Sequence, residues 1–280
     1  MTGPPDCEPG SGPDPGLGSH AIPGPTSLFD LSGRVAVVTG AAGGIGAGIA
    51  RRLAEASADV VVTYRKNAAG AERVRTNVSD LRRQCLVLPT DVSQKAEVDW
   101  LMQRTVAELG RIDVLVNNAG VQPVAGLLDM DPEQFDAVIA ANLRGVYLCT
   151  RAAAKRMIEQ GDGGAIVNVA SIEGDHPAPM HSHYGASKAG VLNHTMAAAV
   201  ELGRYGIRVN AVSPGLIWRE GIEEQWPDGV KRYLNAVPLG RLGYPDDVAD
   251  ACLFLASPAS RWVTGIDLRV DGGVMARPTW

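Results

Sequence analysis

Three side chains of complementary chemistry fall close together in this chain: the hydroxyl of Ser171, the phenol of Tyr184 and the ammonium of Lys188. Tyr184 and Lys188 are four residues apart, so on a helix opening near Tyr184 they share one face within a turn of each other. A free phenol, with a pKa of about 10, is a poor base at neutral pH, but a neighbouring cation favours the phenolate and lowers that value. A phenol tuned in this way can pass a proton to or from an alcohol oxygen. A Tyr and a Lys at this spacing also occur on ordinary solvated helix faces, and the preceding residues separate the two cases. The apolar run over 165–170 reads as a buried strand, so Ser171 follows a strand's C-terminal end, where open α/β sheets bind ligands.

The elements that must position these groups follow from alternating apolar runs and helical patterns. Residues 35–39 read as a buried strand, 40–46 as a glycine-rich turn, and the residues to about 56 as a helix. A glycine turn joining a strand to a helix turns backbone N–H groups and the positive end of the helix dipole outward, which suits a pyrophosphate. Tight turns also use glycine for backbone reasons alone. Further strands are predicted over 59–64, 85–88, 113–117, 165–170, 207–213 and 266–270, with helices over 93–109, 132–158 and 184–204 among others. This alternation predicts an α/β fold, a Rossmann-like doubly wound parallel sheet of about seven strands flanked by helices. The second strand ends at Tyr64-Arg65, roughly 20 residues past the glycine turn, where an Asp or Glu would bind the adenosine ribose of NAD. A guanidinium there, with no carboxylate to repel a 2′-phosphate, favours NADP over NAD. A surface arginine without cofactor contact is the alternative for Arg65.

At 280 residues and 45% hydrophobic content, the chain is long enough to bury a full core in one domain. A net charge of -5 gives no electrostatic case for nucleic acid or an anionic membrane, and no apolar run approaches the roughly 20 residues of a membrane helix. Cys7, Cys85, Cys149 and Cys252 lack CxxC spacing, which points to free thiols in a reducing cytoplasm rather than to a metal site. Residues 1–25 hold 13 Gly or Pro, no Lys or Arg and no apolar run, which predicts a disordered tail over 1–27 ahead of a single domain over 28–280. The same composition argues against a secretory or transit peptide.

Thr39-Gly40-x-x-x-Gly44-Ile45-Gly46, Asn117-Asn118-Ala119-Gly120 and Ser171 followed by Tyr184-x-x-x-Lys188 resemble the motifs of the short-chain dehydrogenase/reductase family, and the resemblance extends from about residue 28 to 273. It implies an NAD(P)-dependent oxidoreductase that moves hydride between a nicotinamide and a carbonyl or secondary alcohol carbon, with no metal. Tyr184 would exchange the proton, Lys188 would lower its pKa and hold the ribose, and Ser171 would steady the substrate oxygen. Asn142, in mid-helix, would hold a water linking Lys188 to solvent, a structural polar contact being the alternative. The cofactor would rest on Gly40, Gly44, Ile45, Gly46, Arg65 and Asn118, with Asp91-Val92 at the adenine. A helix N-cap is the competing role for Asp91. Pro214, Gly215 and Ile217 would close on the nicotinamide side, where Arg219 stands at the family's usual Thr. The family pattern also implies a homotetramer built on the two long helices.

The loop over 173–183 offers two carboxylates, three imidazoles and stiffening prolines, and its Pro177-x-Pro179-x-x-x-His183-Tyr184 pattern resembles the glucose dehydrogenases of the family. A polar, rigid wall suits a small polar ketone, polyol or sugar. A 3-oxoacyl-[acyl-carrier-protein] reductase is the alternative, and a non-catalytic cofactor-bound sensor or scaffold is a second. The stretch over 218–237 has no clean period and reads as a mobile lid.

Overall fold

The computed structural model describes residues 24–276. Its first half runs β1 (Val35–Val38), α1 (Gly44–Glu55), β2 (Asp59–Tyr64), α2 (Ala68–Asp80), β3 (Cys85–Pro89), α3 (Lys95–Leu109) and β4 (Val114–Asn117). The second half runs α4 (Pro132–Ile139), α5 (Gly145–Gln160), β5 (Gly164–Val169), α6 (Ser182–Leu202), β6 (Ile207–Pro214), α7 (Ile222–Gln225), α8 (Pro227–Ala236), α9 (Pro245–Ala256) and β7 (Asp267–Val270). The seven strands form one sheet in the order β3-β2-β1-β4-β5-β6-β7, every pairing parallel. This is the expected doubly wound sheet. The order reverses between β1 and β4, and the crevice above their carboxyl ends is where such sheets take ligands.

The strands read as unbroken apolar runs because both sheet faces are covered. Ala36, Val38, Val60, Val62 and Val116 point to one face, under Ile49 and Leu53 of α1 and Val248 and Leu255 of α9. Val35, Val37, Val61, Leu115 and Ile166 point to the other, under Leu101 of α3, Cys149 and Met157 of α5 and Ala198 and Ala199 of α6. At the amino edge of the sheet Asp113 accepts from the Val35 amide at 2.9 Å, Arg34 Nη1 at 2.8 Å and Arg111 Nε at 2.8 Å, tying the starts of β1 and β4 together. Burial works to raise the Asp113 pKa, but the two guanidinium groups and the amide hold the carboxyl below its ordinary value.

Two stretches differ from the sequence reading. The helix expected over 132–158 carries a π-helical turn, Ala140–Arg144, between α4 and α5. The expected lid over 218–237 folds into α7 and α8, whose Ile222 and Val230 bury with Leu242, Leu216 and Tyr233 in a small apolar cluster of their own. Tyr233 donates to the Asp271 carbonyl at 2.9 Å, fastening that cluster to the chain after β7. Residues 1–23 of the predicted tail, with Cys7, lie outside the described residues. Leu28 is tied to the domain by the Ala259 amide, 3.0 Å from its carbonyl.

Candidate active site

Ser171 follows β5, is 8% exposed, and its Oγ accepts from the Glu173 amide at 3.1 Å. Its own hydrogen is therefore free to point at another oxygen. Tyr184 lies in the first turn of α6 and is half-buried. Lys188 comes one turn later and is 5% exposed, with Nζ 5.6 Å from the centre of the Tyr184 ring. The ammonium donates to the Val169 carbonyl at 2.7 Å.

Sequence reasoning expected Lys188 to draw the phenol pKa down. In the structure burial pushes the Tyr184 phenol up to about 12, the Ser171 hydroxyl works against that rise, and the Glu173 carboxylate adds to it. Burial brings the Lys188 ammonium down to about 8. The phenol is thus protonated at neutral pH.

Asn142 is fully buried in the π turn, where the widened helix lets an amide side chain face the loop after β4. Its Oδ1 accepts from the Val121 amide at 2.8 Å, and its Nδ2 donates to the Val121 carbonyl at 2.9 Å and to Ser187 Oγ at 3.1 Å. Ser187 in turn donates to the Tyr184 carbonyl at 2.7 Å. The structural polar contact weighed for Asn142 is therefore present, and it joins the wall of the crevice to the Tyr184 turn.

The glycine turn lies directly across the crevice. Gly40 has φ +64, and a Cβ there would lie 2.8 Å from Ala119 Cα. A Cβ on Gly46 would lie 2.7 Å from the Gly40 carbonyl and would overlap Asn118 Nδ2. Asn118 donates from Nδ2 to the Thr39 carbonyl at 2.9 Å and the Gly40 carbonyl at 3.0 Å, so it stitches the turn to β4. Gly44 opens α1 with no side-chain cap, leaving the first-turn N–H groups available, while Ile45 packs back onto the core. This arrangement fits a dinucleotide: bare backbone, free amides and a helix N-terminus meet at the switch point.

Around that turn, Arg65 is exposed just past β2, with Nη1 4.0 Å from Asp91 Oδ2. Asp91 does not cap α3, whose N-cap is Gln94. Its Oδ1 accepts instead from the Ser93 amide at 2.9 Å and the Ser93 hydroxyl at 2.7 Å. Burial works to raise the Asp91 pKa, and the Ser93 bonds and Arg65 together bring it below its ordinary value. Val92 is buried and meets Gly145 at the start of α5. Pro214 ends β6, the Gly215 amide donates to Val270 at 3.0 Å, and Ile217 bridges to Gly243. Arg219 turns to Gln225 of α7, Nη1 to Oε1 2.6 Å.

The substrate loop differs most from its expected form. Of its three imidazoles, His183 is fully buried with neither ring nitrogen partnered, His176 is exposed, and His181 alone packs beside Tyr184. Asp175 pairs with Arg269 of β7, 2.5 Å away. A cleft of about 600 Å³ runs beside this loop past Leu127, Glu173, Pro177, Met180 and Ala186, and none of Ser171, Tyr184 and Lys188 lines it. The reacting centre therefore rests on the convergence of side chains rather than on that cleft.

Sequence reasoning missed the buried amide chain beneath the site. Asn117 Nδ2 donates to Asn168 Oδ1 at 2.8 Å, and Asn168 Nδ2 to Thr195 Oγ1 at 2.9 Å, linking β4, β5 and α6. An Asn inside an otherwise apolar strand was the available signal. Thr39 was also missed as a hub, its Oγ1 accepting from the Asn118 and Ala119 amides at 3.0 Å each.

The family model described as enoyl-(acyl carrier protein) reductase matches residues 40–275. The L-rhamnose 1-dehydrogenase (NAD(P)(+)) of Azotobacter vinelandii is 41% identical over 249 residues, 87% of this chain and 97% of that protein. The chain belongs to the short-chain dehydrogenase/reductase family. It is an NAD(P)-dependent oxidoreductase of that family. The 3-oxoacyl-[acyl-carrier-protein] reductase of a Synechocystis species is 39% identical over 246 residues, 88% of this chain and 98% of that one. The crystal structure of a short-chain type dehydrogenase/reductase from Mycobacterium marinum superposes with a TM-score of 0.83 at 38% identity, covering 90% of this chain and 99% of that one. Among the described residues, no helix is long and apolar enough to cross a membrane.

Proposed function

We propose that this short-chain dehydrogenase/reductase oxidises or reduces a small polar ketone, polyol or sugar, prefers NADP to NAD, and works as a homotetramer in a reducing cytoplasm. The observation that carries the reading is the meeting of Ser171, Tyr184 and Lys188 at the carboxyl edge of the sheet, across from the glycine turn. The nicotinamide, when bound, supplies or accepts the hydride. Tyr184, protonated at neutral pH, gives its phenolic proton to the carbonyl oxygen as charge develops there, and takes it back in the oxidative direction. Ser171 aims its free hydrogen at the same oxygen. Lys188, its ammonium fixed by the Val169 carbonyl, keeps an exchangeable proton beside the Tyr184 ring. Asn142 is a positioning residue that holds Val121 and, through Ser187, the Tyr184 turn.

Gly40, Gly44, Gly46 and Asn118 would cradle the pyrophosphate side of the dinucleotide, with Ile45 setting the helix that receives it. Asp91 and Val92 would border the adenine, and Pro214, Gly215 and Ile217 the nicotinamide. The NADP preference rests on exposed Arg65 and on the lack of a carboxylate at the end of β2. The buried free thiols Cys149 and Cys252, pushed up to about 12 by burial, suit a reducing compartment.

Support for a hydroxylated substrate comes from the Glu173–His181–Gln122 cluster beside Tyr184 and from the likeness to an L-rhamnose 1-dehydrogenase. The likeness to a 3-oxoacyl reductase favours the second reading, an acyl thioester. Specificity constants measured side by side decide between them. A tenfold or greater preference for an acetoacetyl thioester over every polyhydroxylated compound overturns the first reading. Absence of turnover with either class would leave the sensor or scaffold.

A further inference from the structure

An acid and an imidazole are paired at the rim of the site, and the steps above do not use them. Glu173 Oε2 lies 2.9 Å from His181 Nδ1. Its Oε1 accepts from Gln122 Nε2 at 3.0 Å, and the Ala178 amide donates to Oε2 at 3.4 Å. The carboxylate thus spans the two loops that leave β4 and β5. The Glu173 and His181 side chains are only 15% and 16% exposed, so this is a fixed pair rather than a solvated one. His181 stands one helical turn before Tyr184 and packs edge-on to its ring, centroids 6.0 Å apart. An ionised carboxylate only accepts hydrogen bonds, so Nδ1 carries a hydrogen, and in the neutral imidazole Nε2 is then the acceptor. The ring makes its hydrogen bond to Glu173 through Nδ1.

We propose that His181 is the specificity-determining residue of this site: its Nε2 accepts a hydrogen bond from a substrate hydroxyl on the carbon next to the reacting carbon. Glu173 is the positioning residue that fixes its tautomer and aim. The proposal rests on the reading that the reacting oxygen sits between Ser171 and Tyr184. A ketone without the neighbouring hydroxyl presents a hydrocarbon group to an acceptor that then goes unpaired, and a site built to bond a hydroxyl discriminates against such an analogue. The other polar residues of the loop are placed elsewhere, with Asp175 on Arg269, His183 in the interior and His176 in solvent.

The test uses a matched pair, 3-hydroxybutan-2-one and butan-2-one, reduced by the full chain at saturating NADPH and, in parallel, NADH. The native chain should favour the hydroxyketone in kcat/KM by about tenfold or more, the worth of one well-placed hydrogen bond. His181→Phe keeps a ring against Tyr184 but removes the acceptor, and should bring the ratio close to one. His181→Gln, which restores an acceptor, should recover part of the preference. Glu173→Gln should raise KM for the hydroxyketone more than it lowers kcat. If His181→Phe does not fold, His181→Ala, which also lacks the acceptor, should bring the ratio close to one and answers the same question. A native preference that His181→Phe leaves unmoved, or no native preference at all, overturns the pair while leaving the Ser171–Tyr184 reading intact. Turnover of neither ketone, or full turnover by Tyr184→Phe, overturns both.

Discussion

Tyr184 is the residue on which the chemistry turns, and its burial fixes the direction in which pH acts. A phenol held up to about 12 is a proton donor across the neutral range, so reduction has its acid ready while oxidation must wait for the phenolate. Carbonyl reduction should therefore be level through neutral pH and fall only as the alkaline limit is approached. Alcohol oxidation should climb by about tenfold per pH unit below that limit, wherever proton removal controls the rate. A kcat for oxidation that is level between pH 7 and 10 would contradict this. Tyr184→Phe removes the proton and little else, so turnover should vanish while fluorescence titration still shows cofactor binding; more than a few per cent of native turnover would count against the assigned role. Arg65 carries the other residue-scale prediction. Its guanidinium is half exposed and pairs only loosely with Asp91, 4.0 Å away, so it can turn to a 2′-phosphate. Arg65→Ala should weaken NADPH binding by about 1–3 kcal/mol and spare NADH; equal losses for both cofactors, measured by calorimetry, would mean that Arg65 does not read the phosphate.

At the scale of elements, the site depends on a helix that is not regular. The π turn Ala140–Arg144 presents Asn142 to both groups of the Val121 backbone. Asn142→Ala would remove the partner of the partly buried Val121 amide and carbonyl and the donor to Ser187 Oγ, and should cost about 1–2 kcal/mol. Thermal unfolding followed by circular dichroism should show this as a lower Tm, accompanied by a fall in kcat because the Tyr184 turn loses its tether. An unchanged Tm with reduced kcat would instead assign Asn142 to the proton path. How far such features can be read from sequence depends on which physics writes them. The seven strands were legible because burial on both faces forces unbroken apolar runs, and predicted ends such as 35–39 against Val35–Val38 differ by one residue. Ser171, Tyr184 and Lys188 were legible because their spacing and their place after β5 are both local. The π turn was hidden because periodicity does not separate it from an α-helix. α7 and α8 were hidden because four- and ten-residue helices flanked by Gly and Pro leave too few turns to set a period. His183 was misplaced on the polar wall because one residue of helical phase separates a side chain in the crevice from one in the interior.

Across the whole molecule, the parallel sheet gathers the turns after β1, β4, β5 and β6 onto one edge, so residues far apart in sequence surround one crevice. Part of the apolar surface that the monomer leaves uncovered lies on the outer helices. Within α6, Ala198 and Ala199 bury against the chain's own core. Met196 and Val200, four residues apart on the same helix, face outward at 50% and 84% exposure. Tyr147 of α5 stands edge-on to His194 of α6, ring centroids 6.2 Å apart, and is 48% exposed, so both long helices carry exposed apolar side chains. Leaving such side chains in water is unfavourable by roughly 25 cal/mol for each Å² that a second copy would cover. The tetramer proposed for this chain places them in an interface. Val200→Glu would put a charge there that association would have to desolvate, and it should split the assembly into smaller species without lowering the helix content. Sedimentation velocity of the native and Val200→Glu chains across a range of concentrations reads this directly. Identical distributions for the two, or a native chain that sediments as a monomer throughout, would remove these helices from any interface.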